Sequence, residues 1–139
     1  MAPGIIWAGG YTSGIYKINK ETLSVEYFSP YLLSHVNMRP DKYIRDIVKD
    51  SRGHIWSGGY YNLKCFDLET NSARLYPGLN SITSIVEKDK DNMWIGTAAG
   101  LYLLNRNTGE YQYIEMEIGI TYINTLYQAD NGLLYIGTN

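Results

Sequence analysis

The chain has 139 residues, 45% hydrophobic and 19% charged, which is enough apolar surface to build a core and argues against a disordered segment. The formal net charge is −2 with no run of like charge, so a nucleic-acid partner is disfavoured, and no apolar stretch nears the roughly 20 residues that span a bilayer. The single Cys65 excludes an intramolecular disulfide, and with only His35 and His54 beside it neither a zinc site nor any other cofactor is expected.

The first element is Gly4-Ile5-Ile6-Trp7-Ala8-Gly9-Gly10, and the chain repeats it. Gly53-His54-Ile55-Trp56-Ser57-Gly58-Gly59, then Asn92-Met93-Trp94-Ile95-Gly96-Thr97, then Gly132-Leu133-Leu134-Tyr135-Ile136-Gly137-Thr138 are later copies. Aligned on Trp7, Trp56, Trp94 and Tyr135, the copies lie 49, 38 and 41 residues apart. Residues 44–67 map onto 82–105 without a gap, which is the signature of a repeat architecture. The start at Met1-Ala2-Pro3 leads straight into a copy with no secretory signal, implying that native sequence precedes it.

Each full unit reads as four short strands rich in β-branched and aromatic residues. The first copy supplies its Trp strand, then 15–19 and 24–28. The second supplies 44–49, its Trp strand, 63–67 and 73–76; the third supplies 82–87, its Trp strand, 101–105 and 110–114. The last supplies 123–128 and the Tyr135 strand. Between first and second strands lie Ser51-Arg52-Gly53, Asp89-Lys90-Asp91 and Asp130-Asn131-Gly132, which predict three-residue turns ending in a left-handed residue. Between third and fourth strands, Asn19, Asp67 and Asn105 are placed to accept backbone N–H groups and start a turn. Asn71 and Gly109 suit a left-handed position after that turn, and Leu23 departs from the pattern. His54 is expected to be an exposed strand residue.

Four antiparallel strands recurring about every 40 residues predict an all-β fold of β-propeller blades. The 13 strands make about three blades, short of the four to eight that close a ring, so an incomplete ring is expected. The boundaries are a partial blade over 4–29, a long inter-blade loop over 30–42, blades over 43–77 and 81–115, and a partial blade over 122–139. The aromatic rings of the Trp strand are expected to pack between blades, and the Gly two residues later to permit close backbone approach.

Inter-blade connections and the turns between second and third strands should open on one face. That face gathers Tyr11, Arg39, Tyr43, Arg45, Tyr60 and Tyr61 as candidate ligand-binding residues, with Ala98-Ala99 at the equivalent of Tyr60-Tyr61. Aromatic faces and charged donors suit a neutral or anionic sugar. The Trp residues repeat at one structural position and are therefore packing anchors. Gly9-Gly10 and Gly58-Gly59 lack the Lys of a phosphate loop, and Asp89 with Asp91 lacks the rest of a calcium loop. No catalytic residue is assigned.

The phrase Ile-x-x-Ile-x-x-Asp-x-x-Gly-x-Ile-Trp-x-Gly resembles the two-component regulator propeller repeat. Ile44, Ile47, Asp50, Gly53, Ile55, Trp56 and Gly58 carry it in one blade; Ile82, Ile85, Trp94, Gly96, Thr97, Gly100, Leu101 and Tyr102 carry it in the next. Lys88, Ala129, Asp91 and Tyr135 depart from it, as substitutes expected to suit the same turn and packing roles. The resemblance implies part of the periplasmic sensor of a hybrid two-component protein, as in Bacteroidetes, detecting oligosaccharides or another small ligand. It further implies a membrane-anchored parent with a histidine kinase outside this segment, dimeric through the full sensor. Self-assembly of this chain, a propeller lyase or hydrolase, and a protein-binding scaffold stay open as alternatives.

Overall fold

The computed structural model describes residues 4–10, 14–28, 43–117 and 119–139. These hold thirteen strands and no helix, in four antiparallel sheets. The first sheet is β1 (Ile5–Gly10), β2 (Gly14–Asn19) and β3 (Val25–Phe28). The second is β4 (Ile44–Lys49), β5 (Ile55–Gly59), β6 (Leu63–Asp67) and β7 (Ser72–Tyr76), and the third is β8 (Ile82–Glu87), β9 (Asn92–Thr97), β10 (Gly100–Asn105) and β11 (Tyr111–Ile114). β12 (Ile123–Gln128) and β13 (Leu134–Thr138) form the last. Strand order follows chain order in every sheet, as a blade requires, so the all-β propeller expectation holds. The loop over 30–42 lies outside the described residues.

Three apolar cores lie between successive sheets, and each is built the same way. Trp7, Ile15 and Phe28 meet Ile44, Ile47, Ile55 and Phe66. Trp56, Leu63 and Tyr76 meet Ile82, Ile85, Met93, Ile95 and Leu104. Trp94, Leu101 and Ile114 meet Ile123, Leu126, Leu134 and Ile136. Each tryptophan therefore packs against the following blade, and Trp56 is fully buried and stacked on Tyr76, their ring centroids 5.4 Å apart.

The glycine two residues after each tryptophan shares its face of the strand and is the seat for the next blade. A Cβ on Gly9 would overlap the Ile44 side chain, one on Gly58 would overlap Ile82, and one on Gly96 would lie 2.7 Å from Ile123 Cγ2. No L-side chain fits beneath those isoleucines without moving a blade.

Those isoleucines belong to the Ile-x-x-Ile pattern, which a regular strand cannot use on one face because its side chains alternate. The structure resolves the conflict with a bulge. Pairing slips between Ile44 and Asp46, between Ile82 and Ser84, and between Ile123 and Thr125, leaving Arg45, Thr83 and Asn124 as the extra residues. One extra residue turns the spacing of three into a same-face pair. The third residue then faces forward: Asp46 Oδ2 accepts the Ile85 N–H at 2.7 Å, and Ser84 Oγ accepts the Leu126 N–H at 3.1 Å. Burial raises the Asp46 pKa above the usual carboxylate range even though the Ile85 and Ile47 amides oppose it.

A buried ionic knot adds a second link between the second and third blades. Arg106 Nη1 donates to Asp50 Oδ2 at 2.9 Å, Nη2 to Glu87 Oε1 at 3.2 Å and to the Asp89 carbonyl at 3.0 Å, and Nε to the Lys90 carbonyl at 2.8 Å. Asp50 also accepts the Trp56 indole N–H at 2.9 Å and the amides of Arg52 and His54. Burial pulls the Glu87 carboxyl upward, but the Ser51 hydroxyl and amide and the Arg106 guanidinium outweigh it and hold it below its ordinary value.

The turns match expectation in part. Asn19, Asp67 and Asn105 each accept two backbone N–H groups with Oδ1. Gly53 and Gly132 are left-handed, whereas Asp91 is not. Asp89 explains the difference: its carboxylate takes the Asp91 and Asn92 amides at 2.9 Å each, a load that Asp50 carries one position earlier in the preceding blade. The Asp91 amide, with Lys88 and the Asn92 side-chain amide, holds the Asp89 carboxyl down to about 2. Lys88 thus does not take over the role of Asp50. Trp94 instead donates its indole N–H to Gln128 Oε1 of the next blade at 3.0 Å. Leu23 does not depart from the backbone pattern at all, since its φ of 57° matches 50° at Asn71 and 79° at Gly109.

Two substitutions should move stability in opposite directions. Gly58→Ala wedges a methyl group under Ile82 and should cost about 1–3 kcal/mol. Leu23→Gly relieves a left-handed leucine whose side chain is 74% exposed and should add about 1 kcal/mol. Urea melts of the two variants and the parent chain check both signs.

Candidate functional site

The residue before the first strand of each blade, and the turn after its second strand, come together on one face. Tyr43, Ser81 and Tyr122 hold the first position; Tyr60-Tyr61 and Ala98-Ala99 hold the second. Backbone hydrogen bonds stitch them into a rim. The Tyr60 N–H donates to the Tyr43 carbonyl at 3.3 Å, the Ser81 N–H to the Tyr60 carbonyl at 3.1 Å, and the Ala98 N–H to the Ser81 carbonyl at 3.1 Å. Gly59 is required here because the Tyr43 carbonyl lies against the place a Cβ would occupy. Ser81 is left-handed at φ 53°, an uncommon conformation for serine. In the third blade the Thr97 hydroxyl closes the turn instead, donating to the Gly100 carbonyl at 2.9 Å and accepting the Ala99 amide at 3.0 Å.

The rim encloses a cleft of about 500 Å³ lined by Tyr43, Arg45, Gly59, Tyr60, Tyr61, Ser81, Ala98 and Tyr122. Four of the six residues singled out from sequence, Tyr43, Arg45, Tyr60 and Tyr61, therefore share one cavity. Tyr11 and Arg39 lie outside the described residues. The tyrosines form an edge-to-face chain, with Tyr60 5.2 Å from Tyr61 and 6.3 Å from Tyr43 between ring centroids. Tyr60 is 63% exposed, so its ring is open to an incoming molecule. Arg45 is the bulged residue of β4, and its Nη1 donates to the Tyr122 hydroxyl at 2.7 Å, reaching from the second blade to the fourth.

Sequence reasoning did not single out Tyr122 or Ser81. The signal was present: both align with Tyr43, immediately before the first strand of a blade. Ala98 matters by being small, since it stands where Tyr60 stands one blade earlier and leaves the cleft open.

A second concavity of about 210 Å³ lies beside the ionic knot, lined in part by Arg52, His54, Cys65, Asp67, Arg74 and Arg106. Its cations are already engaged. Arg106 is held by Asp50 and Glu87, Arg52 by Asn107, Asp91 and the Lys90 carbonyl, and Arg74 by the Thr108 carbonyl. His54 is half-buried just ahead of β5 rather than an exposed strand residue, because Asp50 and Asp67 flank its ring nitrogens at 3.6 and 3.7 Å. Burial, reinforced by Asp50 and Asp67, pushes the Cys65 thiol up to about 12. Among the described residues no cluster of three metal-ligating side chains occurs.

Residues 39–61 and 77–99 match the model of the family described as two component regulator propeller. Each matched segment includes a blade's first two strands and the start of the following turn. The chain is similar in structure to the extracellular domain of BT3049 from B. thetaiotaomicron, described as a hybrid two component system, with a TM-score of 0.79 and 23% identity over 99% of this chain and 18% of that one. It is similar to the extracellular domain of BT4673 from the same organism, also described as a hybrid two component system, at a TM-score of 0.77 and 21% identity over 99% and 19%. PorZ, a surface component of the type-IX secretion system of Porphyromonas gingivalis, aligns at 0.73 and 16% identity over 98% and 22%. The chain thus spans 18–22% of the length of these structures, and the likeness is one of fold. No curated protein sequence matches.

A thiol with a pKa of about 12 carries almost no thiolate near neutrality. Iodoacetamide at pH 8 should leave Cys65 unlabelled in the folded protein and label it after denaturation, as read by intact mass.

Proposed function

We propose that this chain is part of an extracytoplasmic ligand-sensing propeller of a hybrid two-component signalling protein. Its ligand is a glycan fragment held against Tyr43, Arg45, Tyr60 and Tyr61, and the signal passes to a histidine kinase elsewhere in the parent protein. The carrying observation is the single cleft in which these four side chains meet. Flat rings with hydroxyl groups suit the apolar faces and hydroxyl edges of a pyranose, and a cleft of this size suits a small ligand. Among the described residues the lining includes no carboxylate, which favours binding over acid–base chemistry.

Two findings support the signalling context. The repeats match a family model described by two-component regulation, and similar solved structures are extracellular domains of proteins described as two component systems. Placement in the periplasm, a membrane-anchored parent and dimerisation of the complete sensor belong to the same proposal. In that arrangement ligand binding shifts the relation between sensor domains and thereby the kinase.

The test uses the complete extracytoplasmic domain that contains these blades. Tyr60→Ala and Tyr61→Ala should each weaken saccharide binding by about tenfold or more in calorimetric titration, with the melting temperature unchanged. Wild-type affinity in both variants would remove this cleft as the site.

A further inference from the structure

We infer that the cleft selects an acidic saccharide, one bearing a carboxylate or sulfate group, and that Arg45 is the residue that reads the charge. The inference rests on the proposed binding role of the same cleft and goes further by assigning its ligand class.

Among the described lining residues Arg45 is the one charged side chain, and it forms no ion pair with another described residue. The contrast with the other arginines is informative. Arg52 pairs with Asp91, and Arg106 with Asp50 and Glu87, so their charges are spent inside the protein. The contact seen for Arg45 is the neutral hydroxyl of Tyr122, which uses one of five guanidinium donors and leaves the charge unbalanced.

The geometry also fixes where that charge stands. Arg45 is the extra residue of the β4 bulge, so its backbone is set by the same device that seats Ile44 on Gly9. Tyr122 then aims the guanidinium across the cleft from the far side. The equivalent bulged residues in the next two blades are Thr83 and Asn124, neither of which is charged, so the cation is specific to this blade. A guanidinium held among tyrosine rings, with no competing carboxylate among the described lining residues, matches the paired oxygens of a carboxylate or sulfate. Tyr60 and Tyr61 would take the sugar ring while Arg45 takes its acid group. Neutral sugars satisfy the rings and leave the cation without a counter-charge.

The experiment titrates the complete extracytoplasmic domain with oligogalacturonides and their methyl esters, and with sulfated chondroitin disaccharides and their unsulfated forms. The carboxylate or the sulfate series should bind at least about tenfold more tightly than its neutral counterpart, and the difference should shrink as salt rises. Arg45→Gln should abolish that difference; Arg45→Lys should restore part of it. Equal affinity for acid and ester, failure of every acidic probe to bind, or an Arg45→Gln variant that keeps the preference would each overturn the inference. Equal affinity for acidic and neutral forms, with both lost in Tyr60→Ala, would preserve the binding site and reject only its charge selection.

Discussion

The contact between a glycine on the second strand of one blade and an isoleucine on the first strand of the next sets the spacing of everything else. Gly9 with Ile44, Gly58 with Ile82 and Gly96 with Ile123 repeat one arrangement in which the missing Cβ is the space the isoleucine occupies. The indole two residues earlier packs on the same face, so a flat large ring and an empty position together form one socket. The blades can approach only because glycine is there, and once they approach, Asp46 and Ser84 reach across to backbone amides of the next blade.

The bulge in each first strand is the counterpart of that socket. Without it, Ile82 and Ile85 would face opposite sides of the sheet, and the socket would be filled by one isoleucine with the other pointed at the wrong blade. The extra residue that corrects the register is left outside the ladder. In the third and fourth sheets this residue is Thr83 or Asn124; in the second it is Arg45, which enters the cleft. A packing requirement thus supplies the position from which a charged side chain reaches the candidate site.

Blades are not equivalent where they bear on one another through polar groups. Asp50 binds the Trp56 indole, a turn and Arg106 at once, whereas Trp94 turns to Gln128 of the following blade. Where Ala129 replaces the aspartate, Tyr135 replaces the tryptophan, so the indole N–H that would need an acceptor is also gone. The desolvation cost of burying Asp50 and Arg106 is offset by the hydrogen bonds that Asp50 accepts and Arg106 donates.

Much of this was determined by the sequence alone. The repeat of Trp and Gly at fixed offsets, the alternating strands and the Asn or Asp that opens each outer turn are local signals, and local signals are legible in a single chain. Tyr43, Arg45, Tyr60 and Tyr61 could be placed on one face because propeller topology assigns loops to faces. Tertiary structure decided what depends on partners distant in the chain. The bulge arises because Ile-x-x-Ile must serve one neighbour. Arg106 finds Asp50 only after two blades have met, 56 residues apart in sequence. Tyr122 meets Arg45 only because the fourth blade curls round to face the second. Periodicity encodes the blade, while the encounter between blades, where size and charge must match across space, is settled by packing.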